Sequence, residues 1–355
     1  MRTRKFLLTL FAFFGLACAS SPETAWKDPP APGWAPEGSP VALHGQLQVV
    51  GNQLLDAAGA PVALKGVSSM WLNWENGPYA ESQAGLVFMR DNWKLSLIRA
   101  SMGTDQPGGY LSNASFMRAK VNQIVRNAIE QGVYVLVDWH TEIAVEQQEK
   151  SVAFFAAMAK QYGAYPNVIW EPYNEPAHNT WAQIKPYHEA VVAAIRAVDP
   201  DNLIVLGTPN WSQWVDVAAQ DPVAGTNLLY TLHFYSCSHT QGLRSKGDAA
   251  MAAGIALFVT EFGATYADGG DPGQNHDYVC EDEASLWFAW MAQNHISGAA
   301  WRLDTGAEAS CILGPRASSD GPWPDDVLTT DVGGAVFAAG IKGGHGLFVV
   351  NWLRQ

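Results

Sequence analysis

Short, unbroken apolar runs alternate along this chain with longer stretches in which apolar residues return every three or four positions. The runs lie at Val62–Val67, Leu97–Ser101, Val133–Asp138, Val168–Glu171, Leu203–Gly207, Leu228–Phe234, Ala256–Glu261 and Gly298–Leu303. They read as strands buried on both faces. Helix-period stretches between them include Ser115–Gln131, Ser151–Tyr162, Ile184–Val198 and Glu283–Asn294. The first is opened by Ser112-Asn113-Ala114-Ser115 and closed by Gly132, residue types that suit the two ends of a helix. Eight buried strands joined through helices predict an α/β fold with a parallel sheet, and eight repeats of the unit predict closure into a (β/α)8 TIM barrel. An open doubly wound sheet is the rival. It usually brings a Gly-rich phosphate turn after its first strand, and the chain has neither GxGxxG nor GxxxxGK[ST]. Ahead of the barrel, Gln46–Leu55, broken at Gly51-Asn52, predicts a short β-hairpin.

The N-terminus departs from this pattern. Arg2, Arg4 and Lys5 precede the apolar stretch Phe6–Leu16 and then small residues, the layout of an export signal over residues 1–19. Gly15-Leu16-Ala17-Cys18 resembles a lipoprotein cleavage box that would leave an acylated Cys18, while Ala17-Cys18-Ala19 equally meets the A-x-A rule. The expected destination is therefore secretion or a lipoprotein on the outer membrane or cell surface. Six of the 20 prolines fall in residues 22–40, so 20–42 reads as an extended linker, 43–345 as the folded domain and 346–355 as a tail.

Charge narrows the function classes. The net charge of −13 becomes −16 once a leader carrying Arg2, Arg4 and Lys5 is removed, and such a surface repels nucleic acid and anionic membranes. A neutral polymer meets no such repulsion. The chain holds 15 Trp against 14 Phe, and large flat rings suit the apolar faces of sugars as well as core packing. No CxxC or HExxH spacing supports a zinc site, and no cofactor or metal is implied. Of the four cysteines, Cys237, Cys280 and Cys311 stay in the folded domain. Cys280 and Cys311 sit in the loops after strands seven and eight, neighbours in a barrel, which makes them the expected disulfide among three possible pairings.

Barrel enzymes carry their chemistry where strands end. Strand two ends with Arg99, strand three with Asp138-Trp139-His140, and strand four runs into Asn174-Glu175-Pro176. Strand six ends with His233 and Tyr235, strand seven with Glu261 and strand eight with Trp301. Two glutamates, two histidines, a tyrosine, an arginine and an amide thus converge on one mouth, an arrangement suited to paired acid/base and nucleophilic work.

The ordered motifs Asp138-Trp139-His140, Asn174-Glu175-Pro176, His233-Phe234-Tyr235 and Thr260-Glu261-Phe262-Gly263 resemble the strand ends of glycoside hydrolase family 5, in clan A, with the nearest likeness to bacterial endo-β-1,4-glucanases. Ser68-Ser69, Gly108-Gly109-Tyr110, Pro209-Asn210-Trp211-Ser212-Gln213 and Trp301-Arg302-Leu303 follow in the same order, and the likeness runs from Gly45 to about Gly333. The resemblance implies a retaining glycosidase acting on cellulose-type glucans, with Glu175 as acid/base and Glu261 as nucleophile. It implies that Asn174 meets the sugar 2-hydroxyl, that Arg99 and Tyr235 stabilise Glu261, and that His140 and His233 position substrate or the carboxyls. Trp301 would floor the cleaved sugar's site, with Trp74, Trp211, Tyr110 and Glu308 as further substrate contacts. Two positions depart from the family pattern: Met70 stands where relatives carry His, and Gly306 where they carry Lys. Both belong to sugar recognition rather than bond cleavage. A β-mannanase, a mixed-linkage β-glucanase and a non-catalytic glycan-binding barrel are the alternatives, and a monomer is expected.

Overall fold

The structure is a computed structural model and describes residues 26, 29–276, 278–306, 308–314 and 345–355. The expected leader, with Cys18 and the candidate cleavage sites, lies outside the described residues. Two strands, β1 (Gln48–Val50) and β2 (Gln53–Leu55), form the expected antiparallel hairpin across Gly51-Asn52. The barrel follows: β3 (Lys65–Ser69), β4 (Leu97–Gly103), β5 (Tyr134–His140), β6 (Val168–Glu171), β7 (Ile204–Leu206), β8 (Leu228–Thr231), β9 (Phe234–Tyr235), β10 (Leu257–Gly263) and β11 (Gly298–Leu303). Its strands pair in parallel, and β11 bonds both β10 and β3, which closes the ring.

The expected sixth strand is split into β8 and β9. At the break His233 gives its N–H to the Ser212 carbonyl, 2.8 Å away in the preceding loop, rather than to a neighbouring strand. The first strand starts later than its apolar run suggests, because Val62 bonds back to Leu54 beside the hairpin before β3 begins. Gly66 is required where β3 meets β4: a Cβ there would lie 2.1 Å from the Leu97 carbonyl oxygen. The helix Ala114–Gln131 ends as expected on Gly132 in the left-handed region (φ 64°), but Asn113 caps its start without a side-chain hydrogen bond. The helix Trp181–Arg196 begins three residues before the expected Ile184, because Thr180 and Gln183 form a capping box there.

Side-chain alternation within the strands positions the site. Leu97, Leu136, Ile169, Leu229 and Phe258 pack together in one buried cluster. Two residues further along the same strands, on the same face, stand Arg99, Asp138, Glu171, Thr231 and Thr260, all fully buried. The barrel lumen is thus apolar on its lower rungs and polar just beneath the mouth.

Both ends of the domain differ from the sequence expectation. Part of the linker lies on the barrel: Trp26 gives its indole N–H to Glu130 at 2.8 Å and packs on Tyr162 and Tyr165, and Ser39 caps a short helix, Pro40–His44, that buries Val41. The segment read as a tail forms a helix, His345–Leu353, burying Val349, Val350, Trp352 and Leu353. Its alternation of large apolar groups finds a partner in Phe262 and Phe288, whose rings meet Trp352 at 4.9 and 5.2 Å.

The disulfide also differs. Cys237 pairs with Cys280, and Cys311 is a buried free thiol. Parallel pairing sets Gly263 beside Tyr235, so the chain just past β9 runs along the chain just past β10. Cys237 donates its N–H to the Thr265 carbonyl, and the loop after β10 returns so that Cys280 donates to the Ala264 carbonyl. Both thiols therefore reach one strand end. Cys311 instead folds back along β11, where its sulfur accepts from Arg302 Nη2 at 3.5 Å.

Candidate active site

Arg99 is the hub beneath the mouth. Its guanidinium is fully buried and reaches Asp138 (2.9 Å), Glu171 (2.8 Å) and Glu261 (3.0 Å), and Nη2 donates to Asn174 Oδ1 at 2.6 Å. One cation here faces three carboxyls. Burial raises Asp138 to about 8 and Glu171 to about 7, with Arg99 pulling both the other way.

Glu175 sits on the loop after β6 and contacts His233 Nδ1 at 2.8 Å. Burial, reinforced by the charge of Glu142, pushes its carboxyl up to about 8, so it holds its proton at neutral pH. Glu261, on β10, accepts from Arg99 Nη1 on one oxygen and from the Tyr235 hydroxyl, at 2.7 Å, on the other. Atoms of Glu175, His233 and Glu261 lie within 4.8 Å of one another. That spacing could suit a cation, but each of the three groups already has a hydrogen-bond partner: Glu175 and His233 meet each other, and Glu261 meets Arg99 and Tyr235.

His140 is neutral, pushed down to about 3 by burial and then by Arg99. Its Nδ1 lies 2.5 Å from Asp138 Oδ2, which fixes the ring. The ring stacks on Trp301 (5.4 Å, 8°) and takes Trp71 edge-on at 4.2 Å. Trp71 in turn stacks on the exposed Trp74. Across a cleft of about 410 Å³ that contains both glutamates, Trp211 is also exposed. Asn210, Trp211 and Ser212 all have φ between 55° and 58°, a left-handed run that costs on the order of 1 kcal/mol or more per residue. The run is held because Trp211 N–H donates to the Pro176 carbonyl and the Ser212 hydroxyl to the Asn174 carbonyl at 2.7 Å.

The structure thus brings together Arg99, His140, Asn174, Glu175, His233, Tyr235, Glu261 and Trp301. Two further expected contacts have partners within the protein. Tyr110 is half-buried and packs edge-on against Trp139 and Phe154 at 5.1 and 5.2 Å. Glu308 pairs with Arg302 Nη1 at 2.8 Å, and Gly306 leaves room beside that guanidinium. Sequence reasoning passed over Asp138 and Glu171 as site residues. Their signal was a carboxylate ending an otherwise apolar strand, where burial without a cation would be prohibitive.

These protonation states have a stability consequence. Asp138 and Glu175 keep protons that the unfolded chain, with carboxyls near 4, releases. Their contribution is therefore full below about pH 4 and is lost as pH rises through about 8. His140 and His233, pushed down to about 3 and 4, act oppositely and lose stability as pH falls below about 6.5. Melting temperature is expected to change little between about pH 4.5 and 6.5 and to fall steadily from 6.5 to 8.5. A calorimetric series that rises over the upper range would contradict these assignments.

A closed parallel barrel with two carboxyls facing one another at its mouth is the architecture of a glycoside hydrolase. The cellulase family (glycosyl hydrolase family 5) matches residues 55–306, and the chain belongs to that family. It is 44% identical over 302 residues to an endoglucanase of Clostridium saccharobutylicum, covering 83% of this chain and 65% of that protein. It is 38% identical to endoglucanase Z of Dickeya dadantii, covering 89% and 70%. Among solved structures, the catalytic domain of Thermobifida fusca endoglucanase Cel5A (E5) superposes with a TM-score of 0.79 at 29% identity, covering 90% of this chain and all of that domain. A variant of that domain has been solved in complex with cellotetraose. The chain spans about two thirds of the length of these two endoglucanases.

Proposed function

We propose that the protein is an endo-acting β-1,4-glucanase that hydrolyses internal bonds of cellulose-type glucans by retaining double displacement. The observation that carries the reading is the approach of Glu175 and Glu261, whose nearest oxygens lie within 4.8 Å. Retaining glycosidases hold their carboxyls about 5–5.5 Å apart, whereas inverting ones leave about 6.5–9.5 Å for a water. Glu261 attacks the anomeric carbon while Glu175 gives its proton to the departing glycosidic oxygen, leaving a glycosyl ester on Glu261. Glu175, now a carboxylate, takes a proton from water as that water cleaves the ester, and both residues return to their starting states. Arg99 and Tyr235 steady the charge on Glu261 at either end of this cycle. Arg99 also holds Asn174 Oδ1, leaving the amide nitrogen to meet the 2-hydroxyl of the sugar on the Trp301 floor.

Endoglucanase names among the relatives and the cellotetraose complex of the Thermobifida fusca domain support a glucan as the substrate. The Cys237–Cys280 bond supports export to an oxidising compartment, in keeping with the leader. Proton NMR of the first products from a cello-oligosaccharide tests the reaction. The new reducing ends are expected as the β-anomer, with α appearing later by mutarotation. Initial release of the α-anomer would overturn the mechanism.

A further inference from the structure

We propose that Glu171 and Thr260 are positioning residues that lock His233 in the Nε2–H tautomer and, through it, hold a proton on Glu175. The inference rests on the reading of Glu175 as the acid/base. The Thr260 hydroxyl lies 2.6 Å from Glu171 Oε1, 2.6 Å from the Thr231 hydroxyl and 2.8 Å from His233 Nε2. A hydroxyl has one hydrogen to give and two lone pairs. Glu171 faces Arg99 Nε at 2.8 Å and Nη2 at 3.2 Å, so it is an acceptor and takes the Thr260 hydrogen. The Thr231 oxygen already accepts the Thr260 backbone N–H at 3.3 Å and gives its own hydrogen to the Thr260 hydroxyl.

One lone pair of Thr260 then remains for His233, and Nε2 must be the nitrogen that carries the hydrogen. A neutral imidazole has only one, so Nδ1 is bare. Its 2.8 Å contact with Glu175 Oε1 is satisfied only when that carboxyl is protonated and donates. Ionising Glu175 would set two lone pairs against each other. Protonating His233 instead is opposed by burial and by Arg99. The network therefore favours the acid form of Glu175 from behind, while the open side of the cleft receives substrate.

Other groups face this pair. Glu175 feels Glu142 from the loop after β5, Asp138 on β5, Glu171 on β6 and Arg99 on β4. His233 feels Glu261 on β10 and His140 on β5, and Tyr235, His239 and Asp268 line the same cleft. Of these groups only Glu171 contacts the Thr260 hydroxyl, so a substitution there disturbs the tautomer and this one carboxylate, and the nitrogen NMR reads the tautomer directly.

Thr260→Val removes the acceptor for Nε2–H at nearly constant volume, which frees His233 to carry its hydrogen on Nδ1 and donate to an ionised Glu175. The basic limb of the kcat/KM profile on an aryl cellobioside is expected to move down by about one pH unit in this variant. Thr260→Ser, which keeps the hydroxyl, is expected to restore it. Nitrogen NMR of the ¹⁵N-histidine-labelled wild-type protein is expected to find His233 protonated at Nε2 alone, a readout that stands even where Thr260→Val fails to fold. Wild-type protonation at Nδ1, or an unmoved basic limb in folded Thr260→Val, would overturn the proposal. Full activity in Glu175→Gln would instead sink the acid/base reading and leave the tautomer result intact.

Discussion

Glu261→Gln is expected to lower turnover on carboxymethylcellulose by about 10⁴-fold or more while leaving the melting temperature close to that of the wild type. The amide keeps the shape of the carboxyl and can still accept from the Tyr235 hydroxyl, but it cannot form the glycosyl ester. Folding is preserved because Arg99 keeps two of its three acidic partners, Asp138 and Glu171. Reducing-end assays on the purified variant, run beside a thermal melt, separate the two effects. Near-native turnover in a folded Glu261→Gln protein would remove this residue from the nucleophile's role. A variant that lost activity only by unfolding would show instead that the Arg99 cluster depends on the third carboxylate.

Arg99→Met is expected to damage both activity and stability. The guanidinium is fully buried and compensates carboxyls on three strands, so its loss leaves buried negative charge without a counter-ion. Breaking a buried pair from one side costs about 3–5 kcal/mol. Turnover is expected to fall by about 10²–10³-fold because Glu261 loses a charge-assisted donor. The stability loss has a pH signature. Without Arg99, Asp138 and Glu171 escape the unfavourable charge only by taking protons, so the deficit should be smaller at pH 5 than at pH 8.5. Melts of both proteins at these two pH values check it. An equal deficit at both would mean that Arg99 contributes by packing and geometry rather than by charge.

The eight strands were legible in the sequence because each is buried on both faces and therefore reads as an apolar run. Their ends were less so. The break at His233 depends on a hydrogen bond to Ser212, and the start of β3 on Val62 pairing with the hairpin, contacts that no local pattern announces. The pair Glu175 and Glu261 was legible for another reason: carboxylates at strand ends gain nothing from the apolar environment and stand out against it. Glu171 and Asp138 carried the same signal but are sealed beneath the mouth, where their role depends on Arg99, a partner 72 residues away for Glu171. The disulfide went astray because adjacency of strands was a correct guide and loop length a hidden variable. Cys280 reaches back to Ala264, whereas Cys311 turns inward onto its own strand. Tyr110 shows the converse. Its motif placed it near the cleft, and its ring chose Trp139 and Phe154.

The C-terminal helix bears on how this enzyme can be cut down for engineering. The family match stops at residue 306, and a fragment trimmed to that boundary would omit His345. That imidazole lies 2.7 Å from the Trp301 carbonyl and accepts the Ala264 N–H at 3.4 Å. It therefore staples the backbone at Trp301 to the backbone three residues past Glu261. A trimmed protein would also uncover the aromatic surface of Phe262 and Phe288 that Trp352 covers, inviting self-association. The smallest useful catalyst should keep the final eleven residues, 345–355.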